Sequence, residues 1–189
     1  MTDSGVCDEA YLLACDYIYT KLHKDGYDWS ECPELPEPSR LRLAMRSLGD
    51  EFEREYKRAF DNMCDALHLT LSSAYPTFFG VADELFKKGV TWGRIVALYA
   101  FGGALSEYCV RKSMPQLVTY VADWVGLYAE TRLSNWIDSN GGWDGFLAFY
   151  EKRPLPATWP SFKRTMTGVG VVFGGLGVVA LGAMLAMRG

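Results

Sequence analysis

The sequence lacks the motifs that most enzyme sites require. His23 and His68 are its two histidines, and neither lies in a group of Cys, Asp or Glu residues at metal-site spacing. No HExxH, GxSxG or P-loop motif is present, and no GxGxxG opens a helix after a strand. We therefore predict that the protein is not an enzyme, with no catalytic residues, no metal and no cofactor.

The sequence also lacks a basic stripe, a cysteine motif and a strand pattern. Its 19 Lys and Arg residues are outnumbered by 23 Asp and Glu residues, so nucleic acid is not an expected partner. Its five cysteines are scattered without a CxxC pair, which favours reduced thiols in an intracellular protein. The first ten residues contain no basic or long apolar region, so we expect no secretory signal.

A central helix is predicted between Thr91 and Cys109. No charged residue occurs between Arg94 and Glu107, and apolar side chains fall on most of the helix circumference. A helix that is apolar all round is normally buried all round. The uncharged run is about three turns long, roughly 16 Å, which is too short to cross a bilayer. Thr91 is the expected N-cap of this helix, and Gly102, Gly103 and Ala104 would let neighbouring helices approach closely.

Apolar residues at helical spacing predict further helices around this one, and the fold class is all-α. The predicted helices cover residues 7–24, a stripe over 41–67 that forms one helix or two, residues 77–88, 117–128, a short segment around Trp136, and residues 143–152. Ser39 is an expected N-cap, and residues 26–38 and 70–76 are expected to be loops. Asn140, Gly141 and Gly142 are typical of a turn.

The C-terminal part of the chain differs from the rest in composition. Residues 154–165 contain three prolines and are predicted to form a stiff linker. Residues 166–187 carry no charge and are flanked by Lys163, Arg164 and Arg188. A length of about 20 residues and basic flanks favour one membrane crossing over a buried C-terminal helix. The preceding residues 1–153 are predicted to form one helical domain.

Four segments resemble the homology motifs of the Bcl family of apoptosis regulators. Residues 84–105, ELFKKGVTWGRIVALYAFGGAL, resemble the first motif, and residues 135–151, NWIDSNGGWDGFLAFYE, resemble the second. Residues 41–52 and 8–29 resemble the third and the fourth. The order of the motifs, followed by a tail anchor, is the order found in the family. The resemblance covers essentially the whole chain.

This resemblance implies a bundle of about eight helices around a central hydrophobic hairpin, with a C-terminal transmembrane helix. It also implies a hydrophobic groove that accepts the amphipathic third-motif helix of a partner. The groove residues carried over from the family are Phe52, Tyr56, Ala59, Phe60, Met63, Val81, Leu85, Gly93, Arg94, Ala97, Phe101 and Tyr150. Periodicity alone predicts that the apolar members belong to the core, and only the resemblance assigns them to a groove.

Arg94 is the residue where physical chemistry and the resemblance agree. A cation in the first helical turn is disfavoured by the helix dipole, so an anionic group should compensate. The resemblance implies that this group is an aspartate of the partner helix, and an internal carboxylate such as Glu84 is the alternative. Two residues depart from the family pattern, Thr91 in place of a frequent Asn and Met45 in place of a usual Leu.

The family contains members of opposite effect. The runs 49–60 and 101–105 and the fourth motif look more like the pro-survival branch, whose members capture third-motif helices of pro-death relatives. The rival hypotheses are a pore-forming effector, and a regulator with autophagy or calcium-channel proteins as partners. The resemblance further implies the mitochondrial outer membrane or the endoplasmic reticulum as location, with the domain facing the cytosol, and it allows a homodimer or heterodimer.

Overall fold

The computed structural model describes residues 4–152, with side chains from residue 9 onward. These residues form the helices α1 (Ser4–Lys24), α2 (Arg40–Ala66), α3 (Ala74–Phe86), α4 (Trp92–Arg111), α5 (Leu117–Tyr128), a π-helical segment (Ala129–Leu133), α6 (Ser134–Ser139) and α7 (Gly142–Glu151). No strand occurs in this part of the chain. The all-α prediction is confirmed for these residues. The predicted count of about eight helices and the predicted C-terminal membrane helix include residues outside this range, so both stay predictions.

Helix α4 lies at the centre of the bundle, as its apolar sequence predicts. It packs against α1, α2, α3 and α5. Its side chains from Ile95 to Phe101 are at most 2% exposed. Helix α5 packs beside α4 after a short connection, so the two form the predicted central hairpin. Burial of a helix on all sides explains why its sequence contains no charge between Arg94 and Glu107.

Both predicted N-caps are present. The side-chain oxygen of Ser39 accepts a hydrogen bond from the Arg42 backbone N–H at 3.3 Å, and Thr91 does the same for Arg94 at 3.3 Å. Each bond satisfies one of the amide groups that a helix N-terminus leaves without an intrahelical partner. The stripe from residue 41 to 67 forms one continuous helix, which resolves the choice between one helix and two.

Several helix boundaries differ from the sequence prediction by one to three residues. The loop predicted over residues 70–76 is wrong at its C-terminal end, because α3 begins at Ala74 and includes Pro76. Proline lacks an N–H, but a residue in the first turn has no intrahelical acceptor for one, so Pro76 is tolerated there. No sequence pattern predicts the π-helical segment that joins α5 to α6 without a break.

Glycines set the closest helix contacts, as expected for the centre of the bundle. The ring of Tyr17, on α1, lies between Gly49 of α2 and Gly103 of α4. A Cβ atom at these positions would come within 2.3 Å and 2.8 Å of the ring, respectively. A Cβ at Gly102 would lie 2.8 Å from Val125 of α5. Real side chains do not approach so closely, and these three positions therefore fix how α1, α2, α4 and α5 pack.

The segments that resemble the first and second motifs pack against each other through aromatic rings. The ring of Trp92 lies 4.9 Å from Trp136 and 5.6 Å from Phe146, both in edge-on arrangements. Trp143 lies 6.3 Å from Trp92. Such aromatic pairs stabilise a fold beyond the area they bury. The N-terminus of α4 is thus held by α6 and α7.

Candidate helix-binding groove

Three helices carry almost all the predicted groove residues. Phe52, Tyr56, Ala59, Phe60 and Met63 follow one face of α2, Val81 and Leu85 lie on α3, and Gly93, Arg94, Ala97 and Phe101 lie on α4. Tyr150 lies near the end of α7. Helices α2 and α3 both pack on α4. The predicted groove would therefore have α2 and α3 as its two walls and α4 as its floor.

Nine of these twelve residues are buried. Exposure ranges from 0% at Phe52 to 9% at Ala59. Gly93 and Arg94 are half-buried, and Tyr150 is 37% exposed. The structure thus places the buried members where periodicity alone predicts them, in the core. Their assignment to a groove stays a prediction, and it requires that a partner helix displace part of this packing.

Aromatic side chains fill the space between the walls. The ring of Phe52 lies 4.7 Å from that of Tyr56 and 5.8 Å from that of Phe60. Phe78 of α3 stacks on Phe101 of α4 with ring centroids 5.6 Å apart. Phe78 is fully buried and was absent from the predicted groove residues, although its place on the apolar stripe of α3 was a usable signal.

Arg94 lies at the corner between α3 and α4. Its Nη1 donates a hydrogen bond to the carbonyl oxygen of Gly89 at 2.6 Å. Glu84, the internal partner considered from sequence, instead lies 3.3 Å from the Lys87 ammonium group. Among the side chains described, residues 9–152, no carboxylate forms an ion pair with Arg94. The half-buried guanidinium keeps further N–H groups available to an external anion.

The segment that resembles the third motif makes contacts inside this chain through its charged and apolar residues. Arg46 of α2 makes two hydrogen bonds to Asp16 of α1, at 2.8 Å and 2.5 Å. Arg42, itself buried, lies 3.5 Å from Glu9. The apolar face of the same turns is covered, with Met45 0% exposed. Exposing this segment as a ligand would require that α1 detach from α2.

A network of charges ties α1 to α2 and α4. The Lys21 ammonium group lies 2.7 Å from Asp25, 3.1 Å from Glu53 and 2.9 Å from Glu107. The Tyr17 hydroxyl donates to Glu53 at 2.8 Å. Burial raises the pKa of Glu53, although Lys21 and Tyr17 act in the opposite direction. A cavity of about 300 Å³ opens beside this network.

Comparison with known proteins agrees with this architecture. Residues 45–143 match the sequence model described as apoptosis regulator proteins, Bcl-2 family. The chain belongs to the Bcl-2 family. It is 42% identical to apoptosis regulator R1 of Xenopus laevis, over 98% of this chain and 83% of that protein. It is 33% identical to Bcl-2-like protein 1 of Rattus norvegicus, over 93% of this chain and 97% of that protein.

A solved structure of similar fold also contains a bound motif. The crystal structure of Trichoplax adhaerens trBcl-2L2 bound to trBak BH3 aligns with a TM-score of 0.70 and 36% sequence identity. The alignment covers 77% of this chain and 99% of the Trichoplax chain. These similarities confirm the family resemblance and its helical fold. The relatives are apoptosis regulators, a class of protein that acts by binding rather than by catalysis.

The predicted membrane anchor lies outside the described part of the chain. Among residues 4–152, no helix is both long enough and apolar enough to cross a bilayer. The linker at 154–165 and the apolar run at 166–187 therefore stay sequence predictions.

Proposed function

We propose that this Bcl-2 family member is a pro-survival regulator. It captures the third-motif helix of pro-death relatives between α2, α3 and α4, and thereby prevents permeabilisation of the mitochondrial outer membrane. The observation that carries the proposal is the state of Arg94. It lies at the edge of the predicted groove with no internal carboxylate among the described residues, at the site where the partner's aspartate is expected. A charge-assisted hydrogen bond would form there.

The state of the chain's own third-motif segment supports a receiving role. Gly49, Arg46 and Met45 are all engaged with α1 or the core. A protein that donates this helix must first expose it, whereas a protein that receives a helix can keep it buried. The bound trBak BH3 in the Trichoplax structure shows that a protein of this fold accepts such a motif.

Membrane attachment through residues 166–187 is part of the same proposal. The uncharged run is long enough to cross a bilayer once, and it is preceded by Lys163 and Arg164. Anchoring at the mitochondrial outer membrane, or also at the endoplasmic reticulum, would leave the helical domain in the cytosol. The domain would then meet pro-death helices at the membrane on which they act.

The function is tested by binding and by membrane leakage together. The full chain is titrated with a fluorescent third-motif helix from a pro-death effector, and both proteins are then added to dye-loaded liposomes. Tight binding that stops effector-driven leakage is the expected result. Leakage produced by this protein alone, after activation, would instead identify it as a pore-forming effector.

Arg94→Ala tests the placement of the partner's aspartate. We expect at least a roughly tenfold loss of helix affinity, since truncating one member of a charge pair at an interface often costs about 2–5 kcal/mol. Gly93→Ala, beside it, is expected to weaken binding by a similar factor because the partner backbone passes closely there. Arg54→Ala is the matched control, because Arg54 is an exposed cation on α2 outside the predicted groove. Wild-type affinity in Arg94→Ala would contradict the groove assignment.

A further inference from the structure

Helix α3 is held on α5 by one hydrogen bond and a set of aromatic contacts. The hydroxyl of Tyr128, the last residue of α5, donates to Oδ1 of Asp83 on α3 at 3.0 Å. Burial of Tyr128 and the nearby Asp83 carboxylate both raise the pKa of this hydroxyl, and Arg132 acts weakly in the opposite direction. The hydroxyl therefore keeps the proton that it donates.

The ring of Tyr128 is also part of the contact. It stacks on Phe86 with centroids 5.6 Å apart, and it lies 5.9 Å from Phe79. One helical turn earlier, Trp124 lies 5.6 Å from Tyr75 and 5.7 Å from Phe78. Ring contacts are adaptable and tolerate sliding, whereas a hydrogen bond holds only near one geometry. The Tyr128–Asp83 bond thus fixes the position of α3 along α5.

This position is the one in which the predicted groove is closed. Val81 and Leu85, the α3 members of the groove, are each 4% exposed. A partner helix can contact them only after α3 moves away from α4, on which it packs. Helix α4 is buried on all sides, and the N-terminal half of α2 is tied to α1 through Arg46 and Gly49. Helix α3 is held on α5 by aromatic rings and one hydrogen bond, so α3 is the wall that we expect to move. A shift of α3 across α5 would break the Tyr128–Asp83 bond.

We propose that Tyr128 and Asp83 form a latch that keeps α3 in the closed position, and that a partner helix enters when this latch opens. The inference rests on the proposed function, because it concerns access to the same groove. Tyr128 is then a positioning residue, because its hydrogen bond sets the population of the open state. A partner helix binds more tightly when less of its binding free energy is needed to move α3 to the open position. Asp83 is exposed, so water can replace its lost donor when the latch opens.

Tyr128→Phe tests the latch, because it removes the hydroxyl and keeps the ring contacts. We expect the association rate of the labelled third-motif helix to rise roughly threefold to tenfold, the effect of losing one modest hydrogen bond in the closed state. The dissociation rate should stay unchanged, because the bound state already lacks the bond. A variant that was merely destabilised would not show a faster association rate together with an unchanged dissociation rate.

Three further variants accompany this measurement, two as controls and one as a second test of the latch. Tyr99→Phe removes a buried hydroxyl that donates to the Ala10 carbonyl at 3.1 Å, between α4 and α1, and should leave the association rate unchanged. Asp83→Asn keeps an acceptor oxygen and should stay near wild type. Asp83→Ala should accelerate association, and adding Tyr128→Phe to it should produce no further increase, since the two residues act through one bond.

Hydrogen exchange of the unliganded full-length protein separates failure of the latch from failure of the proposed function. Tyr128→Phe is expected to accelerate amide exchange in α3 and leave α1 unchanged, whether or not a third-motif helix binds. Unchanged exchange in α3 would overturn the latch. An association rate equal to or below wild type, in a protein that binds the helix, would overturn it as well. A wild-type protein that binds no third-motif helix, with faster α3 exchange in the variant, would reject the function alone.

Discussion

Two sides of helix α4 are built differently. On the side of α1 and α2, here called the fixed side, Tyr17 is enclosed by Gly49 and Gly103, and Lys21 contacts three carboxylates. On the side of α3, here called the mobile side, the contacts with α5 are mostly aromatic rings with one hydrogen bond. Contacts that tolerate little displacement hold α1 against the N-terminal half of α2, and we expect the more adaptable contacts of α3 to let that wall of the predicted groove move.

The largest effect is expected from disrupting the fixed side. Gly49→Ala would place a methyl group within 2.3–2.6 Å of ring atoms of Tyr17, a residue only 2% exposed. Because the ring cannot move into solvent, we expect a loss of about 3 kcal/mol in the free energy of unfolding. Denaturant unfolding measures this, with Ser47→Ala on the exposed face of the same helix as control. An unfolding free energy within 0.5 kcal/mol of wild type, roughly the range of surface substitutions, would contradict the tight packing.

The same chemical change on both sides sharpens the comparison. Lys21→Met leaves Glu53 and Glu107 without their shared cation, and we expect a loss of about 2 kcal/mol near neutral pH. Lys87→Met on the mobile side removes an exposed pair with Glu84 and should cost at most about 0.5 kcal/mol. Urea unfolding of both variants gives the difference, and equal losses would show that the two sides are not distinguished by their charges.

The pH dependence of Lys21→Met has a definite sign. Burial raises the pKa of Glu53, so the folded state binds this proton more readily than the unfolded state does. The contribution of Glu53 to stability is therefore largest at low pH and is lost as pH rises through the folded pKa. Lys21 lowers the pKa of Glu53, so removing Lys21 raises that pKa further. The loss in unfolding free energy of Lys21→Met should therefore be smaller at pH 5 than at pH 7. A larger deficit at pH 5 would contradict the assignment.

Local sequence signals predicted the elements that depend on local chemistry. The caps at Ser39 and Thr91 follow from side chains that reach their own helix N-terminus. The central position of α4 follows from an uncharged run, and the stop at Gly26 from a backbone φ of +80° that glycine tolerates. The prediction of a loop up to Pro76 puts the start of α3 too late, because proline also fits the first turn of a helix.

Features that depend on tertiary packing were beyond the sequence. The partner of Arg94 is a carbonyl at Gly89, and no pattern of charges indicates a backbone acceptor. The hydrogen bond from Tyr128 to Asp83 joins residues 45 positions apart. Whether the predicted groove residues are covered depends on where α3 lies on α5, which periodicity does not specify. The family resemblance identifies those residues, and the structure shows that nine of them are buried.

The central claim is that a partner helix binds between α2, α3 and α4 while the packing of α1 stays intact. Amide hydrogen exchange of the full-length protein, with and without a saturating third-motif helix, tests it most directly. We predict changed protection in α3, the C-terminal half of α2 and the first turn of α4, with α1 unaffected, and loss of these changes in Arg94→Ala at the same helix concentration. Changes centred on α1 or on the cavity beside Lys21 would contradict the account.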